Sequence, residues 1–296
     1  VISIVAKVTI PAYGSYSASK SANLRMTESV RAELAPQGTL KVGLNLANFL
    51  LVSMKDSSQA PKGIAPDLAR EVAREIGVPI EFFPYATPGE MADAALSGVW
   101  NMALLAVEPA RQNVIDFSAP YLEIEATYLV PANSPLQRIE DVDRAGVRIA
   151  VMHKSAYDLY LSRSLEHAQL VQMASMDASY NEFVTQGLEA LSGLRPRLVQ
   201  EQAKLPGSRV LDGRFTAIGQ AIGVPKGGSA AAAFLRDFVE RARASGLVAQ
   251  IIELQDAAAF GGAHIADGQQ ACEITPPLPR GGICNDVRRA VRKHQP

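Results

Sequence analysis

The stretch ALLAVEPARQNVIDFSAPY, residues 103–121, carries more structural information than any other part of the chain. It begins as an apolar strand, continues through a short loop to Arg111, and ends in the hexapeptide DFSAPY. An arginine just beyond a strand lies where open α/β sheets usually bind their ligands. Because its planar guanidinium can hold a carboxylate through two parallel hydrogen bonds, Arg111 is a candidate for carboxylate binding. The alternative is a structural arginine paired with Glu108 or Asp116.

The composition is that of a globular protein large enough for two domains. The chain has 296 residues, of which 48% are hydrophobic and 20% are charged, and its net charge of −1 gives no indication of nucleic-acid binding. Cys272 and Cys284 both lie near the C-terminus, so the body has neither a disulfide framework nor a thiolate metal site. We expect the two to be free thiols, and a disulfide between them is the alternative. No apolar run has the length of a membrane span. Because the chain starts with Val1 and shows no secretion signal, we expect a fragment.

Strands and helices alternate between residues 38 and 255, as in an α/β fold. Apolar patterns predict strands at residues 39–45, 78–83, 126–130, 147–151 and 220–224. Helices are predicted at residues 64–77, 90–100, 156–165 and 230–245. Gly77 is the predicted C-cap of the first helix, and Ser155 is the predicted N-cap of the third.

The segment around Arg111 resembles the T-P-E-R and D-F-S-x-P-Y signature of periplasmic solute-binding proteins of the polar amino-acid type, family 3, which serve ABC importers. SPLQRIEDV, residues 134–142, and IGVPKG, residues 222–227, resemble later parts of that family in the same order. The resemblance extends over residues 38–255 and implies a two-lobe α/β fold with a two-strand hinge. Lobe 1 would comprise residues 38–129 and 220–255, and lobe 2 would comprise residues 130–219.

The resemblance also implies a ligand site between the lobes. Arg111 would hold the ligand carboxylate from lobe 1. The helix that begins after Ser155 would hold it from lobe 2, since N–H groups in the first turn of a helix bind anions. A plain helix cap at Ser155 is the alternative. Further candidates for ligand contact are Asn45, Asn48, Lys154, Ala156 and Tyr157.

Two positions depart from the pattern of that family. Leu194 stands where members that bind α-amino acids carry an aspartate for the ammonium group, and Arg195, which follows it, is another candidate contact. Glu108 stands where the family usually has Thr or Ser, so it would either take a ligand ammonium or neutralise Arg111 in the empty cleft. The ligand is therefore expected to be an amino acid or an organic acid. The missing aspartate favours a dicarboxylate or another organic acid over a plain amino acid.

Residues 1–37 resemble a different family. The segment PAYGSYSASKSA contains Tyr16 and Lys20 at the spacing of the active-site helix of short-chain dehydrogenases/reductases, and Ser3 lies at the spacing of their catalytic serine. In intact members the tyrosine is the general acid/base, and the lysine lowers its pKa and holds the nicotinamide ribose. No nucleotide-binding half precedes the segment in this chain. We therefore expect a vestigial fragment, joined near residues 33–38 in a recombinant or mis-assembled fusion.

Residues 256–296 show no helical or strand periodicity and contain the breaker-rich run PPLPRGG, so a disordered tail is predicted. The sequence as a whole predicts a periplasmic, monomeric protein that binds a small carboxylated solute for an ABC permease, without catalytic residues, metal or organic cofactor. Two enzymes are the alternatives. One is an NAD(P)-dependent short-chain oxidoreductase that uses Ser3, Tyr16 and Lys20, and the other is a dehydratase-like enzyme on the binding-protein scaffold, with Glu108 or His153 as acid or base.

Overall fold

The computed structural model describes residues 27–54 and 60–255, together with the main chain of residues 263–265 and 272–273. The dehydrogenase-like positions Ser3, Tyr16 and Lys20, as well as Cys284, lie outside the described residues. Of Cys272 only the main chain is described, so the prediction of free thiols stays a prediction.

Within that part the helices are α1 (residues 27–34), α2 (Ile64–Ile76), α3 (Pro88–Asp93), α4 (Ala156–Ser164), α5 (Met176–Thr185), α6 (Arg195–Lys204), α7 (Ser229–Ala244) and α8 (Leu247–Leu254). The strands are β1 (Leu40–Asn45), β2 (Ile80–Tyr85), β3 (Met102–Ala106), β4 (Ile115–Phe117), β5 (Leu122–Val130), β6 (Arg148–Met152), β7 (Gln169–Met173), β8 (Ala190–Leu194), β9 (Arg209–Val210), β10 (Thr216–Pro225), β11 (Ala263–Ile265) and β12 (Cys272–Glu273). Short 3₁₀ turns occupy Ala94–Leu96, Arg111–Asn113 and Ile139–Asp141.

The strands form two parallel units that are joined through two long antiparallel strands. The order along the sheet is β2-β1-β3-β10-β5-β8-β6-β7. In the first unit β1 runs parallel to β2 and β3, and in the second β6 runs parallel to β7 and β8. β5 pairs with β10 through Leu122 to Ala126 and with β8 through Ala126 to Leu129, so it belongs to both units. This is the two-lobe α/β fold that the sequence predicts.

Local sequence explains where several elements begin and end. In α2 the buried residues Leu68, Val72 and Ile76 recur every four positions, so one face of the helix packs on lobe 1. Gly77 ends the helix in the left-handed region at φ 70°, and its N–H donates to the carbonyl of Ala73. The predicted C-cap is confirmed.

Several predicted boundaries are wrong by a few residues. The helix predicted at residues 90–100 begins at Pro88, because Thr87 and Glu90 form a capping box, and it ends as a 3₁₀ turn at Leu96. Trp100 lies beyond that turn and is fully buried, with its indole N–H donating to the carbonyl of Met91 at 3.1 Å. The strands predicted at residues 126–130 and 220–224 are longer, since β5 spans Leu122–Val130 and β10 spans Thr216–Pro225.

The boundary predicted at residue 37 separates residues that pack together. Val30 and Leu34 on α1 are 2% and 0% exposed and belong to the apolar core of lobe 1. The Glu33 carboxylate accepts a hydrogen bond from the N–H of Ala231 at 2.7 Å. That N–H lies in the first turn of α7, where Gly228 provides no side-chain cap. Residues 27–35 therefore form part of lobe 1, because their apolar face and their capping carboxylate both act on the body.

The prediction of a tail without strands needs a correction at two short segments. Ala263–Ile265 pairs antiparallel with the start of β5, and Cys272–Glu273 pairs with that segment. Strands of three and two residues are too short to show an alternating pattern, which is why periodicity did not reveal them. The rest of the tail lies outside the described residues.

Candidate functional site

A cavity lies between the two lobes and encloses about 550 Å³ of empty space, part of it continuous with solvent. Its polar lining comes from both lobes and from β10 and consists of Asn45, Asn48, Arg111, Ser155, Tyr157, Arg197 and Gln220. Its remaining walls are apolar and consist of Ala47, Phe49, Pro88, Ala106, Met152, Ala156, Met176, Leu194 and Ile218. Apolar walls with a few convergent polar groups are typical of small-molecule sites.

Arg111 brings a buried positive charge to this cavity. It follows β3 at the start of a 3₁₀ turn and is 4% exposed. One terminal nitrogen donates to the carbonyl of Ala106 at 2.9 Å and the other to the carbonyl of Lys154 at 3.1 Å. Within the described residues no carboxylate forms an ion pair with Arg111. Burial lowers the pKa of Arg111 to about 10, against the opposing charges of Glu108 and Asp93, so the side chain remains a cation at neutral pH.

The start of α4 faces the same cavity from lobe 2. Ser155 is the N-cap and its hydroxyl oxygen accepts from the N–H of Asp158 at 3.0 Å, which confirms the predicted cap. Ala156 and Tyr157, the first two residues of α4, line the cavity. In the part of the chain that the structure describes, no hydrogen bond engages their main-chain N–H groups. Free N–H groups at a helix N-terminus favour an anion, so the two lobes bring matching groups to one space.

Lys154 connects the lobes rather than lining the cavity. Its φ of 55° is in the left-handed region, which few residues other than glycine adopt. Its main-chain N–H donates to the carboxylate of Asp158 at 2.8 Å, and its ammonium pairs with Asp93 of lobe 1 at 2.7 Å. Its main-chain N–H and its ammonium are therefore both engaged outside the cavity lining, and its contribution to the site is the carbonyl that accepts from Arg111.

The two predicted asparagines lie in the cavity lining after β1. The side-chain oxygen of Asn45 accepts from the N–H of Ala47 at 3.1 Å, which shapes the loop. Asn48 is 6% exposed, and its side-chain oxygen has no hydrogen-bond partner among the residues that the structure describes. A buried oxygen without a partner is costly, so Asn48 has an acceptor to offer to a bound donor.

Glu108 takes a partner that the sequence did not indicate. It is buried, and its carboxylate forms an ion pair at 2.5 Å with Arg163 on α4, across the lobe boundary. Its charge helps to hold up the pKa of Arg111, but its direct partner is Arg163. Glu108 is not among the cavity lining, and neither is His153, which lies half-exposed with a ring nitrogen 3.7 Å from the Asp158 carboxylate.

Arg195 lies outside the cavity, and Arg197 lies in it instead. The guanidinium of Arg195 donates to the Glu125 carboxylate at 2.7 Å and to the carbonyl of Leu211 at 3.3 Å. Because α6 begins at Arg195, a residue two positions later points to the opposite side of the helix. Arg197 therefore reaches the cavity. Pro196 just after the strand indicates a helix start here, so this rotation could have been projected from the sequence.

In residues 27–54 and 60–255 no cluster of three or more His, Cys, Asp or Glu side chains has an arrangement that could hold a metal ion. Among the described helices, none combines the length and the apolar character that a membrane crossing requires.

Comparison with known proteins places the chain in a family. The family model of bacterial extracellular solute-binding proteins, family 3, matches residues 40–254. The chain is 25% identical over 213 residues to a probable histidine-binding protein of Neisseria gonorrhoeae, a match that covers 68% of this chain and 76% of that protein. It is 24% identical over 107 residues to the amino-acid-binding protein AabA of Dichelobacter nodosus, covering 36% of this chain and only 42% of AabA.

A solved structure shows the same fold. The amino acid ABC transporter substrate-binding protein AbpA of Streptococcus pneumoniae, bound to L-arginine, superimposes with a TM-score of 0.64 at 19% identity, over 77% of this chain and 98% of AbpA. The two-lobe architecture and the family match over most of the described body agree with each other. The chain belongs to family 3 of the bacterial extracellular solute-binding proteins.

Proposed function

We propose that the chain binds a small carboxylated solute, an amino acid or an organic acid, between its lobes and delivers it to the membrane permease of an ABC transporter. The observation that carries the proposal is Arg111, a buried cation in the cavity lining without a carboxylate partner among the described residues. A buried charge is costly unless an opposite charge meets it, so a ligand carboxylate would complete the site.

In this proposal each lobe supplies hydrogen-bond donors for the ligand carboxylate. Arg111 of lobe 1 donates to the carboxylate as a fork, and the free N–H groups of Ala156 and Tyr157 donate from lobe 2. A bound anion would then join the lobes, with β5 and β10 as the hinge. The joined lobes would present the permease with a surface that the open form lacks.

The relatives support a ligand of amino-acid size. Their names refer to an amino acid and to histidine, and the similar solved structure holds L-arginine.

The ion pair of Glu108 with Arg163 and that of Lys154 with Asp93 both cross the lobe boundary. They lie beside Arg111, and we propose that they help to hold the closed form once a ligand is bound.

The test is a binding panel on the full chain by isothermal titration calorimetry. The panel consists of valerate, L-norvaline, glutarate, L-glutamate and L-arginine, five small carboxylates that differ in their other charged groups. Saturable one-site binding of at least one of them is expected, together with a rise in melting temperature at saturating concentration. Absence of saturable binding for all five would contradict the proposed function.

Removal of the N-cap of α4 should lower both the stability and the ligand affinity, whereas removal of the N-cap of α5 should leave the affinity unchanged. Ser155→Ala is expected to lower the free energy of unfolding by about 1 kcal/mol, because the N-cap bond to Asp158 is lost. It should also weaken carboxylate binding roughly tenfold by fraying the turn that carries the free N–H groups. Ser175→Ala is the matched control, since Ser175 caps α5 by the same kind of bond to Ala178. Equal effects of the two variants on affinity would remove the α4 turn from the site.

The dehydrogenase-like segment leads to a separate expectation. Tyr16 and Lys20 have the spacing of a reductase pair, but the residues that follow them, 40–254, match a solute-binding family instead of the rest of a reductase. We expect no saturable quenching of NADPH fluorescence by the purified chain, and unchanged carboxylate affinity in Tyr16→Phe. Saturable quenching that is lost in Tyr16→Phe would revive the oxidoreductase alternative.

A further inference from the structure

The charged groups that line the cavity all have the same sign. Arg111 and Arg197 are the charged residues in its lining, and no aspartate or glutamate is among the described residues that form its walls. Glu108, the nearest acid to Arg111 along the chain, is turned away to Arg163. A ligand therefore meets two guanidinium groups and no aspartate or glutamate among the described residues that line the cavity.

Position 194 explains why the second lobe supplies no negative charge. Leu194 ends β8, is the N-cap residue of α6, and lines the cavity. Leucine cannot accept a hydrogen bond from the helix N-terminus, and the structure shows no side-chain cap there. The strand end that faces the ligand space is thus apolar, at a point where a short acidic side chain would serve the helix equally well.

An ammonium group would be poorly compensated in this cavity. The acceptors near it are neutral: the unpaired oxygen of Asn48, and the side chains of Gln220 and Tyr157. Such oxygens can accept hydrogen bonds, but they carry no net charge to balance a desolvated cation, and the guanidinium of Arg111, which has no carboxylate partner among the described residues, repels it. The cost of burying an unpaired charge therefore falls on the ligand's ammonium.

Arg197 is held in place with one amino group left for a ligand. Its Nε donates to the Glu201 carboxylate at 2.6 Å, and one terminal nitrogen pairs with Glu201 and with Asp177. Nη1 has no hydrogen-bond partner among the described residues. The two acids fix the guanidinium in one orientation, which lowers the entropy cost of using its remaining donors.

From these observations, and resting on the function proposed above, we propose that the cavity is specific for a dicarboxylate without an ammonium group, with Arg111 holding one carboxylate and Arg197 the other. Arg197 is then the residue that determines specificity, and Leu194 is the position that excludes α-amino acids. Arg111 belongs to lobe 1 and Arg197 belongs to lobe 2. A ligand with a carboxylate on each of them would therefore help to join the lobes.

Four of the panel compounds test this proposal as a two-by-two design. Valerate has one carboxylate, norvaline adds an ammonium, glutarate adds a second carboxylate, and glutamate carries both. We expect the second carboxylate to tighten binding about tenfold or more, and the ammonium to weaken it by a similar factor, so that glutarate binds most tightly. L-arginine, which adds a further cation, should bind more weakly than all four.

Two variants assign the effects to residues. Leu194→Asp should raise the affinity for glutamate relative to glutarate by about tenfold or more, because it places a carboxylate in the wall. Arg197→Gln should remove the advantage of glutarate over valerate. Arg195→Gln is its control, since that guanidinium is bound to Glu125 outside the cavity, and it should leave the advantage unchanged. Melting temperatures without ligand check that each variant is folded.

The outcomes separate this proposal from the function on which it rests. If norvaline binds more tightly than valerate, or glutamate more tightly than glutarate, the specificity proposed here is wrong while carboxylate binding stands. An unchanged glutarate advantage in a folded Arg197→Gln variant would remove Arg197 from the site. If none of the five compounds binds saturably, the proposed function itself fails.

Discussion

Replacement of Arg111 by alanine is expected to weaken binding of the tightest-binding compound of the panel by about 3–5 kcal/mol, from a hundredfold to a few thousandfold. The reason is that the ligand carboxylate would remain desolvated without its opposite charge. The unfolding midpoint without ligand should change little, because Arg111 has carbonyl partners and forms no ion pair with a carboxylate among the described residues. Calorimetry and thermal unfolding of the same preparation measure both quantities.

Two variants make this expectation specific. Arg111→Lys keeps the charge but loses the planar fork, so it should recover only part of the affinity. Arg148→Ala is the control. Arg148 lies on β6 and pairs with Glu189 at 2.9 Å, outside the cavity lining, so its removal should leave binding unchanged. An affinity in Arg111→Ala equal to that of the wild type would exclude Arg111 from the site.

Replacement of Leu34 by alanine should lower the free energy of unfolding by about 2–5 kcal/mol, as expected for a fully buried leucine that leaves a cavity. Leu96→Ala is the matched control, because Leu96 is 68% exposed and its loss should change stability by less than about 0.5 kcal/mol. Urea unfolding of both variants provides the comparison. Equal stabilities of the two variants would show that α1 does not belong to the core.

This second expectation revises the prediction that lobe 1 begins at residue 38. A chain that starts at Thr39 would lose Val30 and Leu34 from the core and Glu33 from the start of α7. The sequence carried a hint, since Val30 and Leu34 are four positions apart and so share one helix face. The resemblance of that segment to another family says nothing about which surface its apolar face covers.

The fold was largely predictable because its two signature segments are partners in space. The hydroxyl oxygen of Ser118, in DFSAPY, accepts from the N–H of Ile222 at 3.1 Å, and its own N–H donates to the carbonyl of Ile222 at 2.8 Å. Phe117 pairs with Gly223 between β4 and β10. A Cβ at Gly223 would lie 2.6 Å from the side chain of Ile115, so only glycine fits. DFSAPY and IGVPKG contact each other directly, so each motif is constrained by the same packing between β4 and β10. Finding both motifs in one sequence therefore predicts the fold more strongly than finding either alone.

Which residues line the candidate site was predictable only where a local structure positions the side chain. Ser155 follows from helix capping, and Arg111 follows from its place just beyond β3. The partner of Glu108 could not be predicted, because Arg163 is 55 positions later and reaches it only when the lobes meet. Arg197 was missed because Arg195, which directly follows Leu194, was the predicted contact, although Pro196 indicates the helix start that turns Arg197 toward the cavity.

The most direct test of carboxylate recognition uses calorimetry on the full chain. It compares the tightest-binding compound of the panel with the analogue in which each carboxylate is replaced by a carboxamide. The two differ in charge and hardly in shape, so the comparison measures the charge interactions attributed to Arg111 and the first turn of α4, and to Arg197 where the compound is a dicarboxylate. We predict saturable one-site binding of the carboxylate and binding of the amide that is about a hundredfold weaker or undetectable. Equal affinities for the two, or no binding of any carboxylate in the panel, would contradict the account.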